Sequence, residues 1–470
     1  MGGVSTPINS HYHPEENLMG FLMAARIGKQ AVVVGAGMAG LTAARSLADF
    51  FERVLILEND ALPKEAIHRP GTPQSRHIHA LLAGGLQALS RLFPGFVESL
   101  SHAGAVRLRM GYDDRIELPG YDPFPQRDLG IPIYGMTRPL LEITVRKRLG
   151  QYPNVEVREN CRAQKLITGS GDAAVTAVRC ENSDGRSETL QADLVVDASG
   201  HGSLTQALLN SIGWPLPQET WIGVDLGYTT SLLDIPEDAP PDWMGLRTLA
   251  HYPHTKRAAI LPVEGKRWML SLAGRYDEKP PSDWDGCLMF AQQLRTPTVY
   301  NVIRNAKSVR EIARFGFKAS CWRRFERLEK LPRGLLPFGD AICRFNPIYG
   351  QGISVAALEA DVLNRLLTAQ SAESDGLAGL AAAFFAEADR LIDTPWWTAA
   401  IPDFSDPRTE GQRPSDLEDI LKFFAALLKL AAQDSAVHKL FIEVQNLLKP
   451  RSAYRDPELV RRAEAVMAEA

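Results

Sequence analysis

Two segments of this chain carry glycines and acids spaced to hold a large nucleotide: AVVVGAGMAG at 31–40 and LPFGDAICRFNPIYGQG at 336–352. In the first, Gly35, Gly37 and Gly40 fit G-x-G-x-x-G between an apolar run and a helical pattern. Gly35 permits a tight turn, Gly37 lets the backbone approach a pyrophosphate, and Gly40 lets the helix pack closely on its strand. Met38 and Ala39 complete the turn, and the helix N-terminus offers unpaired N–H groups to phosphate. Glu58 follows the apolar run Val54 to Leu57, about 20 residues on, where an acid can hydrogen-bond a ribose diol. This half of the pattern suits NAD as well as FAD.

The second segment narrows the choice. Asp340 follows a buried strand predicted at 334–338 and is placed to accept hydrogen bonds from a polyol chain. Gly350 and Gly352 make a turn before an apolar helix predicted at 353–366, whose N-terminus can stabilise negative charge on a reduced flavin. Alone, the segment reads better as an ordinary strand, loop and helix with glycine turns. Set beside the first, it points to FAD.

Gln74, Arg76, His77 and His79 lie in a loop rich in Pro and Gly. Imidazoles two residues apart on an extended segment point to opposite sides, so they make no metal pair and no metal site is assigned. The five cysteines, at 161, 180, 287, 321 and 343, show neither a C-x-x-C pair nor metal-ligand spacing. That pattern suits a reducing cytoplasm and lacks the redox pair of glutathione-reductase-like enzymes.

Positioning these groups calls for an α/β fold. A strand at 31–34, a helix at 41–51 and a second strand at 54–57 open a Rossmann unit of the glutathione-reductase type. Further helices are predicted from Ala80 to about Leu92 and from Arg138, where Pro139 suits the first turn. Segments 155–157, 174–180 and 194–197 return to strand character, whereas 221–276 alternates with period two and continues in strands to about 325. The expected division is an N-terminal extension at 1–28 and a discontinuous FAD-binding domain at 29–104, 139–212 and 331–368. A sheet-based substrate domain takes 105–138 and 213–330, and a helical C-terminal region takes 369–470. Within the last, an amphipathic helix bears Phe423, Phe424, Leu427, Leu428 and Leu430; such a helix packs on its own core or covers a membrane or substrate. Trp396 and Trp397 suggest packing or a substrate wall.

With 470 residues, 23% of them charged, and a net charge of -4, the chain lacks the basic surplus of a nucleic-acid binder. The apolar residues from Met19 to Ala25 follow Glu15 and Glu16 instead of the basic start of a signal peptide. No stretch reaches the ~18 apolar residues of a transmembrane helix, and a cytoplasmic protein is expected.

As a set, these motifs resemble flavoprotein monooxygenases of the para-hydroxybenzoate hydroxylase superfamily, and more narrowly the flavin-dependent epoxidases related to polyether antibiotic biosynthesis. The resemblance spans residues 30–450 and rests on VVVGAGMAGL with Glu58, GTPQSRHIHALLAGGLQAL at 71–89, MTRPLLE at 136–142, ADLVVDASGHGS at 192–203, WMLSLAGRYDEKPPSDWDG at 268–286 and LLPFGDAICRFNPIYGQGISVAALEA at 335–360. It implies Gly35, Gly37 and Gly40 at the pyrophosphate, Glu58 at the ribose, Arg138 near the phosphates and flavin, Ala163 beside the adenine, Asp340 at the ribityl chain, and Gly350 and Gly352 at the pyrimidine edge. It also implies the loop of Gln74, Arg76 and His77 near the flavin.

The implied reaction inserts one oxygen atom from O2 into a bulky apolar metabolite, polyketide- or terpenoid-like, through a flavin C4a-hydroperoxide, with alkene epoxidation as the expected outcome. Aromatic hydroxylation is the nearest alternative, followed by an FAD-dependent halogenase or dehydrogenase and a non-catalytic flavin-binding module. The W-x-W-x-I-P signature associated with tryptophan halogenases is absent. One departure stands out: where superfamily members carry an Asp-Gly pair linked to flavin and NADPH, this chain reads Asp197, Ala198, Ser199, Gly200. NAD(P)H is therefore expected as donor through a separate flavin reductase.

Overall fold

The computed structural model describes residues 26–171, 173–250 and 252–469, so all but the last few residues of the expected N-terminal extension fall outside it. Five parallel strands form one sheet, in the order Leu335–Pro337, Leu194–Asp197, Gly28–Val34, Phe51–Leu57, Val155–Arg158. The continuous apolar runs of the central strands suit burial on both faces. Ala31 and Val33 pack towards the helix Met38–Ala48, while Val32 and Val34 pack on a three-stranded antiparallel sheet made by Cys161–Thr168, Val175–Asn182 and Ser187–Gln191.

The first helix begins and ends three residues earlier than its predicted bounds, 41–51, because Phe51 is taken by the neighbouring strand, where it pairs with Gly28. Its outer side meets the long helix Gly352–Gln370, to which Ser46 Oγ donates a 2.6 Å hydrogen bond at Ala360 O. The helix expected from Ala80 begins at Ala83, since Leu81 forms a bridge to Tyr134.

A second sheet has eight strands, built around Glu219–Asp234, Arg267–Arg275, Arg257–Val263 and Ala313–Arg323. Its period-two pattern divides the faces. Trp268, Leu270 and Leu272 pack with the helices Trp284–Gln292 and Thr298–Ile303, whereas Leu226, Tyr228, Ala273 and Phe317 belong to the core shared with the parallel-sheet layer. The parallel-sheet layer and this sheet therefore meet through one shared core.

The C-terminal helices close the molecule. Leu380–Phe404 runs beside Gly352–Gln370, and Leu417–Gln433, Ser435–Gln445 and Pro457–Ala468 pack against Ile116, Leu118 and Phe124. The amphipathic stripe is thus internal: Leu427 is fully buried, Leu430 nearly so, and Phe423 and Phe424 are half-buried against the same cluster. Trp396 is a packing residue with its ring 5.5 Å from that of Trp322, and Trp397 lies under Arg451. Among the described residues no helix is long and apolar enough to cross a membrane.

Candidate FAD and substrate cleft

The three glycines of the first turn serve three different needs. Gly35 has φ +99°, and a Cβ there would lie 2.7 Å from Ala198 O. On Gly40 a Cβ would lie 1.8 Å from Gly35 O, so helix and turn can touch only without a side chain. A Cβ on Gly37 would meet nothing within 4 Å, which leaves open space against the backbone where a pyrophosphate would sit. Met38 and Ala39 then open the helix.

Glu58 is not the free acid that the sequence suggests. Its Oε2 accepts from Ala36 N–H at 2.8 Å and its Oε1 from Asp60 N–H at 2.9 Å, so it also holds the turn in shape. Arg69, buried, sits 3.3 Å from Glu58, 2.8 Å from Asp60 and 2.9 Å from Glu142. Burial works against the Arg69 charge, but Glu142, Glu58 and Asp60 outweigh it and raise its pKa. Each Glu58 oxygen retains a lone pair, so a ribose diol would share the acid with this cluster. Cys161 N–H donates to Glu58 O at 2.8 Å, which brings the strand carrying half-buried Ala163 alongside.

At the other end, Asp340 lies in the short turn Gly339–Ala341. It keeps contact with solvent, yet burial pushes its carboxyl up against the pull of Arg344, Arg138, His201 and Arg323. Gly350 adopts φ +67° with its Cβ position 2.7 Å from Ala80 Cβ, and the Cβ position of Gly352 is 3.8 Å from Asp340 Oδ1. Arg138 begins the helix Arg138–Leu149, capped by Thr137 Oγ1, which accepts from Leu140 N–H at 3.3 Å. Its guanidinium is buried 3.5 Å from Glu142, and among the described residues its Nε has no partner. No hydrogen bond reaches the Asp340 carboxylate from the described residues either. A cradle of backbone, an unpartnered guanidinium nitrogen and an unpartnered acid suit, in turn, the phosphates and the polyol of FAD.

Residues 29–383 match the family model described as the FAD binding domain. The chain belongs to that FAD-binding family. The match agrees with the superfamily that the motifs resemble. Protein Rv3254 of Mycobacterium tuberculosis (strain ATCC 25618 / H37Rv) is 31% identical over 397 residues, covering 82% of either chain. Among solved structures, flavin-dependent brominase Bmp2 aligns with TM-score 0.65 at 15% identity, over 93% of this chain and 98% of its own. The tetrameric form of 2-methyl-3-hydroxypyridine-5-carboxylic acid oxygenase aligns with TM-score 0.58 at 19% identity, over 81% and 92%. At such identities the likeness carries the fold.

In this FAD-binding protein the loop of Gln74 and Arg76 forms the short turn Pro73–Arg76, with Gln74 half-buried and Arg76 exposed. His77 is buried and reaches the second sheet: its Nδ1 is 2.8 Å from Thr230 Oγ1, which donates onward to Ser271 Oγ at 3.2 Å. Among the described residues its Nε2 has no hydrogen-bond partner. The ring stands edge-on to Tyr228 at 4.6 Å. His79 turns elsewhere, its Nδ1 3.0 Å from His77 O. Burial first, then the nearby cationic groups, lowers His77 to about 4 and His79 to about 3. Both are neutral at pH 7.

Ser199 donates through Oγ to Asp197 Oδ1 at 2.6 Å, while Thr205 Oγ1 and N–H hold Oδ2 at 2.6 and 3.1 Å. Asp197 is completely buried and saturated, so the strand end offers no free acid at the position of the Asp-Gly pair.

Two groups escape sequence reasoning. Arg69 and Glu142 are 73 residues apart and become a pair only through the fold. Asp403, near the end of the helix Leu380–Phe404, pairs with buried Arg275 and accepts from Tyr349 Oη at 2.8 Å and from Asn346 Nδ2 at 3.0 Å. It anchors the loop before Gly350 to the second sheet. Arg257, whose guanidinium lies 5.8 Å from the Tyr349 ring centre, extends that contact. Neither spacing nor composition signals either group.

Proposed function

We propose that the protein is a flavin-dependent monooxygenase that places one oxygen atom from O2 on the double bond of a bulky, largely apolar metabolite. The observation that carries this reading is a cleft on the second sheet that Arg76, and Thr137 next to Arg138, also line. This cleft, of about 280 Å³, opens beside Thr230, Leu232, Met269 and Ala313 on that sheet. Bound FAD, once reduced, supplies the activation of dioxygen.

The chain's own residues then have three tasks. Gly35, Gly37, Met38, Ala39 and Gly40 hold the pyrophosphate, Glu58 and Ala163 the adenosine end, and Asp340, Gly350 and Gly352 the ribityl chain and the pyrimidine edge. Arg138 lends positive charge near the reacting end, and the loop of Gln74, Arg76 and His77 lies beside the ring. The apolar face of the second sheet orients the alkene and excludes water, which would divert the oxidant to peroxide.

Histidine chemistry favours an alkene over a phenol. Hydroxylating an aromatic ring benefits from a base that ionises the phenol, and efficiency requires a proton affinity near the working pH. His68, the histidine on the cleft lining, and His77, both lowered to about 4, and His79, lowered to about 3, bind protons too weakly for that task. Saturation of Asp197 by Ser199 and Thr205 supports reduction by NAD(P)H through a separate flavin reductase. The domain division given above, with 29–104, 139–212 and 331–368 binding FAD, belongs to the same proposal.

The test offers matched apolar alkenes and phenols to the FAD-loaded protein together with a flavin reductase and NADPH. Epoxide from the alkenes with no catechol from the phenols is the expected result. Catechol formation without epoxide would assign the site to aromatic hydroxylation.

A further inference from the structure

The lining of the same cleft carries more positive than negative charge. Arg76 and Arg310 both line it, and among the described residues neither forms an ion pair. Arg310 Nη1 instead meets His68 Nε2 at 2.9 Å, while His68 Nδ1 is 3.0 Å from Ser75 Oγ. Burial, then Arg310 and Arg76, lowers His68 to about 4, so it is neutral at pH 7 and accepts the guanidinium hydrogen. An arginine oriented by a neutral acceptor keeps its whole charge available, unlike one spent on a carboxylate. Glu311 is the one acid on this lining, set against two guanidinium groups. The chain as a whole carries a net charge of -4, so this local excess runs against the global balance. Leu232, Met269 and Ala313 form the apolar part of the same lining.

We propose that the cleft takes an amphipathic substrate with a carboxylate at one end, and that Arg310 binds that carboxylate while the apolar body lies along Leu232, Met269 and Ala313. The planar fork of arginine matches two carboxylate oxygens at once, which a lysine or a neutral donor does not. Fixing one end also fixes the distance from that end to the atom presented to the flavin, so Arg310 sets which double bond reacts. This inference rests on reading the cleft as the substrate's, as above.

The experiment is calorimetric titration of the FAD-loaded protein with decanoate, decanol and decyl phosphate, in wild type and in Arg310→Gln. Decanoate is expected to bind about 10-fold more tightly than decanol, and Arg310→Gln to bring the two within about twofold, since tenfold in affinity is about 1.4 kcal/mol, near the low end of what a hydrogen bond to a charged group contributes. FAD content stays unchanged, because Arg310 is an exposed residue outside the nucleotide turns. Equal binding of decanoate and decanol, no binding of either, or a preference that survives Arg310→Gln overturns the inference. Decyl phosphate binding more tightly than decanoate overturns the carboxylate assignment. Failure to retain FAD at all would instead strike the parent reading, and the flavin absorbance of the same samples separates the two.

Discussion

Gly37 and Gly40 lie three residues apart at the start of one helix, yet a Cβ on Gly37 meets nothing within 4 Å whereas one on Gly40 falls 1.8 Å from Gly35 O. The first glycine faces the space for the ligand and the second faces the protein. Their substitutions therefore fail in different ways. Gly37→Ala is expected to fold with a denaturation midpoint close to wild type but to lose FAD affinity, by about 10-fold or more if one backbone contact to phosphate is lost. Gly40→Ala is expected to lose stability itself, by about 1–3 kcal/mol or more, because backbone and helix must part. Chemical denaturation and FAD titration of both variants check this, and equal stability loss in the two would contradict it.

Glu359 lies fully buried behind the Asp340 turn, its Oε2 accepting from Gly339 N–H at 2.8 Å and its Oε1 without a partner among the described residues. Burial raises its pKa from 4.5 to about 8 despite that hydrogen bond, and Asp340 adds to the rise. Between these values the folded state binds a proton that the unfolded chain has released, so stability falls as pH increases. The contribution is complete below about 4.5 and lost through about 8. Glu359→Gln keeps an oxygen for Gly339 and cannot ionise. It should match wild type near pH 5 and exceed it near pH 8, as read from urea midpoints across that range. A variant less stable than wild type at pH 8 would show that the acid is charged in the folded protein.

Much of this arrangement is legible in the sequence because it is local. The glycine turn, the strand before it and Glu58 sit within one supersecondary unit, so their spacing encodes their geometry. Asp340 and Gly352 likewise flank one short loop. The second sheet announces itself through alternation at 268–273, where Trp268, Leu270 and Leu272 share a buried face. What stays hidden depends on distant parts of the chain. Arg69 finds Glu142 across 73 residues, and Asp403 reaches Asn346 across 57. The start of the first helix is also missed, since its burial begins at Met38 inside the glycine motif itself.

Ser199 and Asp197 form a closed pair in which Asp197 Oδ1 accepts from both Ser199 N–H and Oγ. With no free acid at this strand end, bleaching of the bound flavin by NADPH alone is expected to be slow and to accelerate when a flavin reductase is added. Stopped-flow absorbance under anaerobic conditions measures both rates. Rapid bleaching by NADPH alone would place the nicotinamide on this chain.

The most direct test of the whole account is the fate of isotopic oxygen. FAD-loaded protein, reduced through a flavin reductase, is exposed to 18O2 with an apolar alkene, and the product is analysed by mass spectrometry. The account predicts an epoxide containing one atom of 18O. Reoxidation that yields only labelled peroxide and leaves every alkene offered unchanged, or a product whose oxygen comes from water, would contradict it.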